Sequence, residues 1–172
     1  MLYSLLLASK ILKKNNCIVT YGDIIYKKKV LKKLIKNKKN VSIIYDTLWK
    51  NLWRKRFDNI YEDAENFIVD KNERILKIKE NLKKDKFING QYIGLMKFNK
   101  KIWNKIETLL SKLSKEEIRT MDMTTFFSYL INNNLKLTGV PINGSWVEID
   151  NKKDISIYKK MLKNKNWSHK WF

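Results

Sequence analysis

One cysteine and one histidine in 172 residues exclude several kinds of protein at once. Cys17 has no second cysteine to pair with, so no disulfide framework holds this chain. A zinc site built on Cys and His is excluded for the same reason. A Ser-His-Asp or Cys-His catalytic set would have to use His169. That residue lies in the polar tail Asn166-Trp167-Ser168-His169-Lys170-Trp171 and is expected on the surface. One proline and five glycines leave no Pro/Gly linker, so the chain reads as a single domain over 1–172. Long apolar runs are missing too. Leu5-Leu6-Leu7-Ala8 gives way at once to Ser9 and Lys10, which is too short for a membrane span and lacks a cleavage signature. No membrane partner is expected, and the expected location is cytoplasmic.

Acidic residues are scarce: 17 against 37 lysines and arginines, for a net charge of +20. Such a charge attracts anions, nucleotides included. It argues only weakly for nucleic acid. Nearly all of it is lysine, with arginine only at Arg54, Arg56, Arg74 and Arg119, and bidentate recognition of bases and phosphates favours arginine. The lysines are also spread along the chain rather than gathered in one patch. Hydrophobic residues make up 44%, enough to build a core at this length.

The apolar pattern alternates between helical and strand periods. Leu2–Lys14 is helical, Cys17–Tyr21 a short buried strand, Tyr26–Lys36 helical again, and Val41–Tyr45 a second strand closing on Asp46. That succession implies parallel pairing with helical crossovers. Trp49 and Trp53 share one helical face. Residues 64–69 and 74–79 read as a hairpin turning at Asp70-Lys71-Asn72-Glu73, and a further strand falls within 87–98, where Gly94 marks a close backbone approach. Helices follow at 102–113 and 123–131, with Thr124 or Thr125 as a cap for the second. Lys136–Ile142 and Trp146–Ile149 flank Asn143-Gly144, a strong hairpin signal. A last helix starts near Asp154.

Two acidic strand ends carry the chemistry. In Cys17-Ile18-Val19-Thr20-Tyr21-Gly22-Asp23 the aspartate stands just past the carboxyl end of a strand, where open α/β sheets bind ligands. In Trp146-Val147-Glu148-Ile149-Asp150 an alternating segment again closes on a carboxylate. Such groups are hard oxygen ligands for Mg²⁺, and the two could share one ion. Each could equally cap the helix that follows it. Spacing leaves both readings open.

The order of motifs goes further. Tyr21-Gly22-Asp23 is followed by Asp46-x-x-Trp49-x-x-x-Trp53-x-x-Arg56, Asp63-Ala64-Glu65, Gly90-Gln91-Tyr92-Ile93-Gly94-Leu95, Met121-Asp122-Met123-Thr124, and Trp146-x-Glu148-Ile149-Asp150 with Asp154. This series resembles the sugar-nucleotidyltransferase-like cytidylyltransferases, in the branch with phosphocholine cytidylyltransferases and the nucleotidyltransferases associated with phosphoenolpyruvate mutase. The resemblance implies a Rossmann-like mixed sheet flanked by helices. It implies joining of an NTP, CTP by preference, to a small phosphorylated or phosphonylated acceptor with release of pyrophosphate. It assigns Asp23 and Asp150 to Mg²⁺ and catalysis, and places Asp46, Trp49, Arg56, Glu65, Gln91, Tyr92, Trp146 and Glu148 about the substrates. Were the acceptor phosphocholine, Trp49, Tyr92, Trp146 and Glu148, with Glu65, would cage its ammonium. Arg56 could instead pair structurally with Asp63 or Glu65, and Trp49 and Trp53 could be core. A phosphate nucleophile is already ionised near neutral pH, so such a reaction needs no histidine or cysteine base.

The resemblance covers the carboxyl-terminal two thirds of such an enzyme. The family's first strand and its Gly-x-Gly-x-Arg phosphate loop have no counterpart here. The chain is therefore expected to be amino-terminally truncated, or to act with a homo-oligomeric or other partner that supplies that part. The alternative reading is a non-catalytic basic module that binds nucleotides or nucleic acid.

Overall fold

The computed structural model describes residues 1–78 and 88–172. Its centre is a four-stranded sheet in the order β1-β6-β3-β7, made of Cys17–Thr20 (β1), Gln91–Phe98 (β6), Val41–Asp46 (β3) and Thr138–Ile142 (β7). All six residues of β3 are buried, as a strand flanked on both edges and covered on both faces must be. Pairing is mixed. β6 runs antiparallel to both β1 and β3, while β3 and β7 are parallel. The two strands expected to pair in parallel, β1 and β3, do point the same way, but β6 lies between them. Sequence periodicity carries no record of a later strand inserting between two earlier ones.

Side chains alternate across β3. Val41, Ile43 and Tyr45 enter one core with Trp103, Phe126 and Phe127, while Ile44 enters another with Trp49, Leu52 and Trp146. The first core is roofed by helices Leu2–Leu7 (α1), Ser9–Lys14 (α2), Lys100–Leu110 (α5) and Met123–Asn132 (α7), and by the antiparallel hairpin Phe67–Val69 (β4) and Ile75–Ile78 (β5). The second is covered by Lys28–Lys36 (α3), Trp49–Arg56 (α4) and Lys152–Met161 (α8), and by a ribbon in which Ile24–Tyr26 (β2) pairs antiparallel with Trp146–Glu148 (β8). α3 shows why the lysines do not prevent folding. Val30 and Leu34, one turn apart, are buried, and the intervening lysines stay in solvent or half exposed.

Helix starts follow local chemistry. The Asn99 side chain accepts from Lys101 N at α5, and Asp122 accepts from Thr125 N at α7. Capping boxes open both α8 (Asn151/Asp154) and the short helix Lys115–Thr120 (α6, Ser114/Glu117). Neither Asp23 nor Asp150 caps a helix: Lys27 and Asn151 hold those positions before α3 and α8. α6 and β2 were not expected, being too short for their periods to stand out. The single helix expected over 2–14 is interrupted at Ala8. Lys79 and Phe87, at the ends of two expected strands, lie outside the described residues.

The expected hairpin at Asn143-Gly144 is not formed. β7 stays in the main sheet, and β8 leaves to pair with β2. Gly144 and Ser145 both have positive φ, 66° and 68°, and their N–H groups go elsewhere. Gly144 N donates to Asp46 Oδ1 at 2.8 Å and Ser145 N to Ser168 O at 2.8 Å. Satisfying those backbone groups on β3 and the C-terminal segment removes the ladder a hairpin needs.

β1 is an outer strand, and its second edge pairs with nothing among the described residues. Beside it Met1, Leu5, Ala8, Ile18, Val19 and Met96 line an apolar groove. Leu7 and Ile11, 73% and 59% exposed, continue this apolar surface over α1 and α2. No helix among the described residues is long and apolar enough to cross a membrane.

Gly94 does mark a close approach. Its φ is +79°, and an added Cβ would stand 2.5 Å from the Tyr21 ring. Gly94→Ala is therefore expected to cost about 1–3 kcal/mol from backbone strain alone. Urea denaturation checks this, and an unchanged midpoint would show that the Tyr21 contact is dispensable.

Candidate active site

The carboxyl ends of β1, β3 and β7 and the start of β6 meet at one end of the sheet, where Asp46 is in register with both Gln91 and Ile142. After β1, Tyr21 N donates to Gly94 O and the chain turns through Gly22 into β2. The β2/β8 register then brings the two acidic stretches together. Ile24 pairs with Glu148, and Ile149 N donates to Asp23 O at 2.9 Å. Oxygens of Asp23, Glu148 and Asp150 consequently lie within 4.8 Å of one another. The two strand ends singled out in the sequence are thus adjacent in space, with Glu148 as a third carboxylate.

Arg56, at the end of α4, organises this group from behind. Its side chain is 2% exposed. Nη1 donates to Glu148 Oε2 at 2.8 Å, Nε to Asp154 Oδ1 at 3.1 Å, and Nη2 to Asp150. Burial opposes the guanidinium charge, but the hydrogen bonds to Glu148 and Asp154 more than offset it and the pKa is raised. Arg56 therefore stays cationic. Its guanidinium thus hydrogen-bonds the acids of β8, of the segment after it and of α8, where the sequence had suggested Asp63 or Glu65. Every guanidinium nitrogen is engaged by a carboxylate.

A cavity of about 240 Å³ opens beside Glu148. Asp63, Glu65, Asp122 and Glu148 give it an acidic lining in a chain of net charge +20, and Tyr21, Tyr92 and Trp53 form aromatic walls. Gln91 also lines it, but its amide is spent holding Glu65: Nε2 donates to Glu65 O at 2.7 Å, and Oε1 accepts from Glu65 N at 3.0 Å. Thr124 Oγ1 donates to Glu65 Oε1 at 2.8 Å. The Tyr21 and Tyr92 rings meet edge to face at 5.7 Å. Burial raises the Tyr21 hydroxyl to about 12 and raises that of Tyr92 as well, so both remain neutral. Burial likewise raises the Glu148 carboxyl; the Arg56 hydrogen bond opposes this, and Asp150 and Asp23 add to it. Burial raises Asp63 as well, against the pull of Arg56.

Of the ten site residues expected from sequence, six stand at the carboxylate group or the cavity: Asp23, Glu148, Asp150, Glu65, Gln91 and Tyr92. Arg56 braces the carboxylates. Asp46, Trp49 and Trp146 do not reach the cavity. Each is at most 1% exposed, Trp49 and Trp146 in the second core and Asp46 bonded to Trp146 Nε1. Trp49 and Trp146 thus bring no aromatic face to a ligand here. His169 is not on the surface either: it is fully buried, with Nε2 2.8 Å from Asp46 Oδ2. Tyr21, Asp63, Asp122 and Thr124 were not named as site residues, although all four fall within the motifs that carried the resemblance.

The donor set fits a divalent ion. Three carboxylates offer hard oxygens, as Mg²⁺ prefers, and Arg56 engages Glu148 through Oε2 and Asp150 through Oδ2, so each retains a second oxygen.

No protein-family model matches the chain. Its sequence is nevertheless similar to that of a cytidylyltransferase, and its fold to those of solved nucleotidyltransferases. Over 150 residues it is 32% identical to CTP:phosphoglutamine cytidylyltransferase of Campylobacter jejuni, covering 84% of this chain and 59% of that protein. Its fold matches a Bacillus anthracis protein assigned as a glucose-1-phosphate thymidylyltransferase, solved with sucrose (TM-score 0.63, 15% identity, 99% of this chain and 64% of that one). It also matches the inositol-1-phosphate CTP transferase of T. maritima (TM-score 0.62, 19% identity, 94% and 60%). The chain thus spans about three fifths of the length of these relatives.

Two outcomes follow from the buried ion-pair group. Arg56→Met leaves Glu148 and Asp154 without their buried cation and is expected to cost about 3–5 kcal/mol in urea denaturation. A loss below about 1 kcal/mol, typical of an exposed pair, would contradict the bridging role. The raised Glu148 carboxyl means that the folded protein keeps this proton to higher pH than the unfolded chain, so its ionisation opposes folding. Relative to Glu148→Gln, the wild type should gain stability as pH falls from neutrality toward 4.5. Denaturation midpoints across that range read the slope, and the opposite slope would show a lowered pKa.

Proposed function

We propose that this chain is the metal- and acceptor-binding part of a Mg²⁺-dependent cytidylyltransferase. Its reaction would join CTP to a small phosphorylated acceptor and release pyrophosphate. The observation that carries the reading is the meeting of Asp23, Glu148 and Asp150, with Glu148 also lining the acidic cavity. These residues would hold the ion. Mg²⁺ supplies charge neutralisation between the acceptor phosphate and the α-phosphate, both anionic. Arg56 fixes Glu148 and Asp150 in position, so little reorganisation accompanies binding. No residue need act as base, because the attacking phosphate oxygen carries its own negative charge.

The lining of the cavity supports a choice of acceptor class. Four carboxyl groups and three aromatic rings favour a cationic end, and phosphocholine fits that description. The cage would be Tyr21, Tyr92 and Trp53 with Glu65, Asp63 and Asp122, rather than Trp49 and Trp146. The acceptor named for the Campylobacter relative, phosphoglutamine, is the natural competitor. The phosphate-binding loop implied by the resemblance would come from further polypeptide added at the free edge of β1.

The test is pyrophosphate release from CTP with phosphocholine or phosphoglutamine, using protein that includes the segment pairing with β1. Asp23→Asn and Asp150→Asn are each expected to lower turnover by about two orders of magnitude or more, on the scale of losing one electrostatic stabiliser. Full turnover in either variant would remove that residue from the metal site. Absence of turnover, with nucleic-acid affinity falling steeply with salt, would favour a basic binding module instead, which the +20 charge allows.

A further inference from the structure

The carboxylates Glu148 and Asp150 depend on β8, a strand of three residues whose only partner strand among the described residues is β2. So short a ribbon is not stable by itself. What holds its first residue lies far away in sequence. Asp46 at the end of β3 is fully buried and accepts from four sides. Oδ1 takes Leu48 N at 3.0 Å and Gly144 N at 2.8 Å. Oδ2 takes Trp146 Nε1 at 3.0 Å and meets His169 Nε2 at 2.8 Å. A carboxylate only accepts, so Nε2 carries the proton in this contact. Ser168 Oγ, 2.9 Å from Nδ1, orients the ring from its other side, and Ser168 O accepts from Ser145 N. The C-terminal segment therefore grips the residues on which β8 begins.

We propose that His169 is a positioning residue for the carboxylate group: through Asp46 and Trp146 it holds β8 in the register that brings Glu148 and Asp150 to Asp23. The chain of contacts has three links: His169 to Asp46, Asp46 to Trp146 and Gly144, and β8 to β2. A buried carboxylate that loses a donor either rearranges or draws in water, and both loosen what else it holds. Outer partners of metal ligands act in this way on affinity. The effect on metal rests on the metal reading given above; the effect on β8 does not.

Two measurements on the 172-residue chain separate these. Hydrogen exchange across 144–150 reads the order of β8, and calorimetric titration with Mn²⁺ reads the carboxylates. His169→Leu is expected to speed exchange in 144–150 by about tenfold or more while leaving β6 and β3 protected. It should also weaken Mn²⁺ binding by about 10- to 100-fold. His169→Gln keeps an N–H near the Nε2 position and is expected to restore both. Trp146→Phe removes the other donor to Asp46 Oδ2 and should reproduce the loss, and it serves if His169→Leu does not fold. Unchanged exchange in 144–150 overturns the proposal, as does faster exchange that is uniform over the whole chain. Should wild-type protein bind no Mn²⁺, the metal reading falls, and exchange in β8 still decides whether His169 holds the strand.

Discussion

A buried guanidinium holds this end of the molecule together. Arg56 meets Glu148, Asp150 and Asp154 with almost none of its side chain in solvent. Three acids so close would repel one another. The fixed cation between them offsets that repulsion and fixes their side chains. It also ties three elements together: α4 supplies the arginine, β8 and the short segment after it two of the carboxylates, and α8 the third. The rest of the second core is built around that tie, with Trp53 stacked near the guanidinium and Tyr158 donating to Glu148 O at 2.6 Å.

The charge distribution becomes intelligible from there. Lysines are spread over solvated helix faces and cost little. Six of the 17 acids, Asp23, Asp63, Glu65, Asp122, Glu148 and Asp150, gather about one cavity and the carboxylate group beside it. The overall positive field draws anionic ligands toward the molecule, while the local field at the cavity favours a cation or the cationic end of an acceptor. Net charge and site charge have opposite signs here, and the site charge decides which groups can be bound.

Much of the architecture was readable from pattern. The helical periods over 26–36 and 102–113 and the strand periods over 17–21 and 41–45 correspond to real elements, because burial on one face imposes them. The turn at Asp70-Lys71-Asn72-Glu73 does join paired strands. Misreadings arose where a residue's partner is distant. Asn143-Gly144 has hairpin chemistry, yet its N–H groups find Asp46 and Ser168. His169 sits among polar residues in sequence, yet packs against a buried aspartate. Trp146 carries a family pattern, yet fills the core, and Trp49 takes the core position that the sequence also allowed.

The sequence by itself determined the class of fold, the motif order and two acidic strand ends. Each of these is a local property, written in residue types and their spacing. Only the tertiary structure decided which carboxylates meet, that Arg56 braces them, and that Tyr21, Asp63 and Asp122 line the cavity. Those facts depend on a three-residue register between β2 and β8 and on β6 inserting between β1 and β3. Pairings between distant segments leave no periodic trace in a single chain, so they become visible only once the chain is folded.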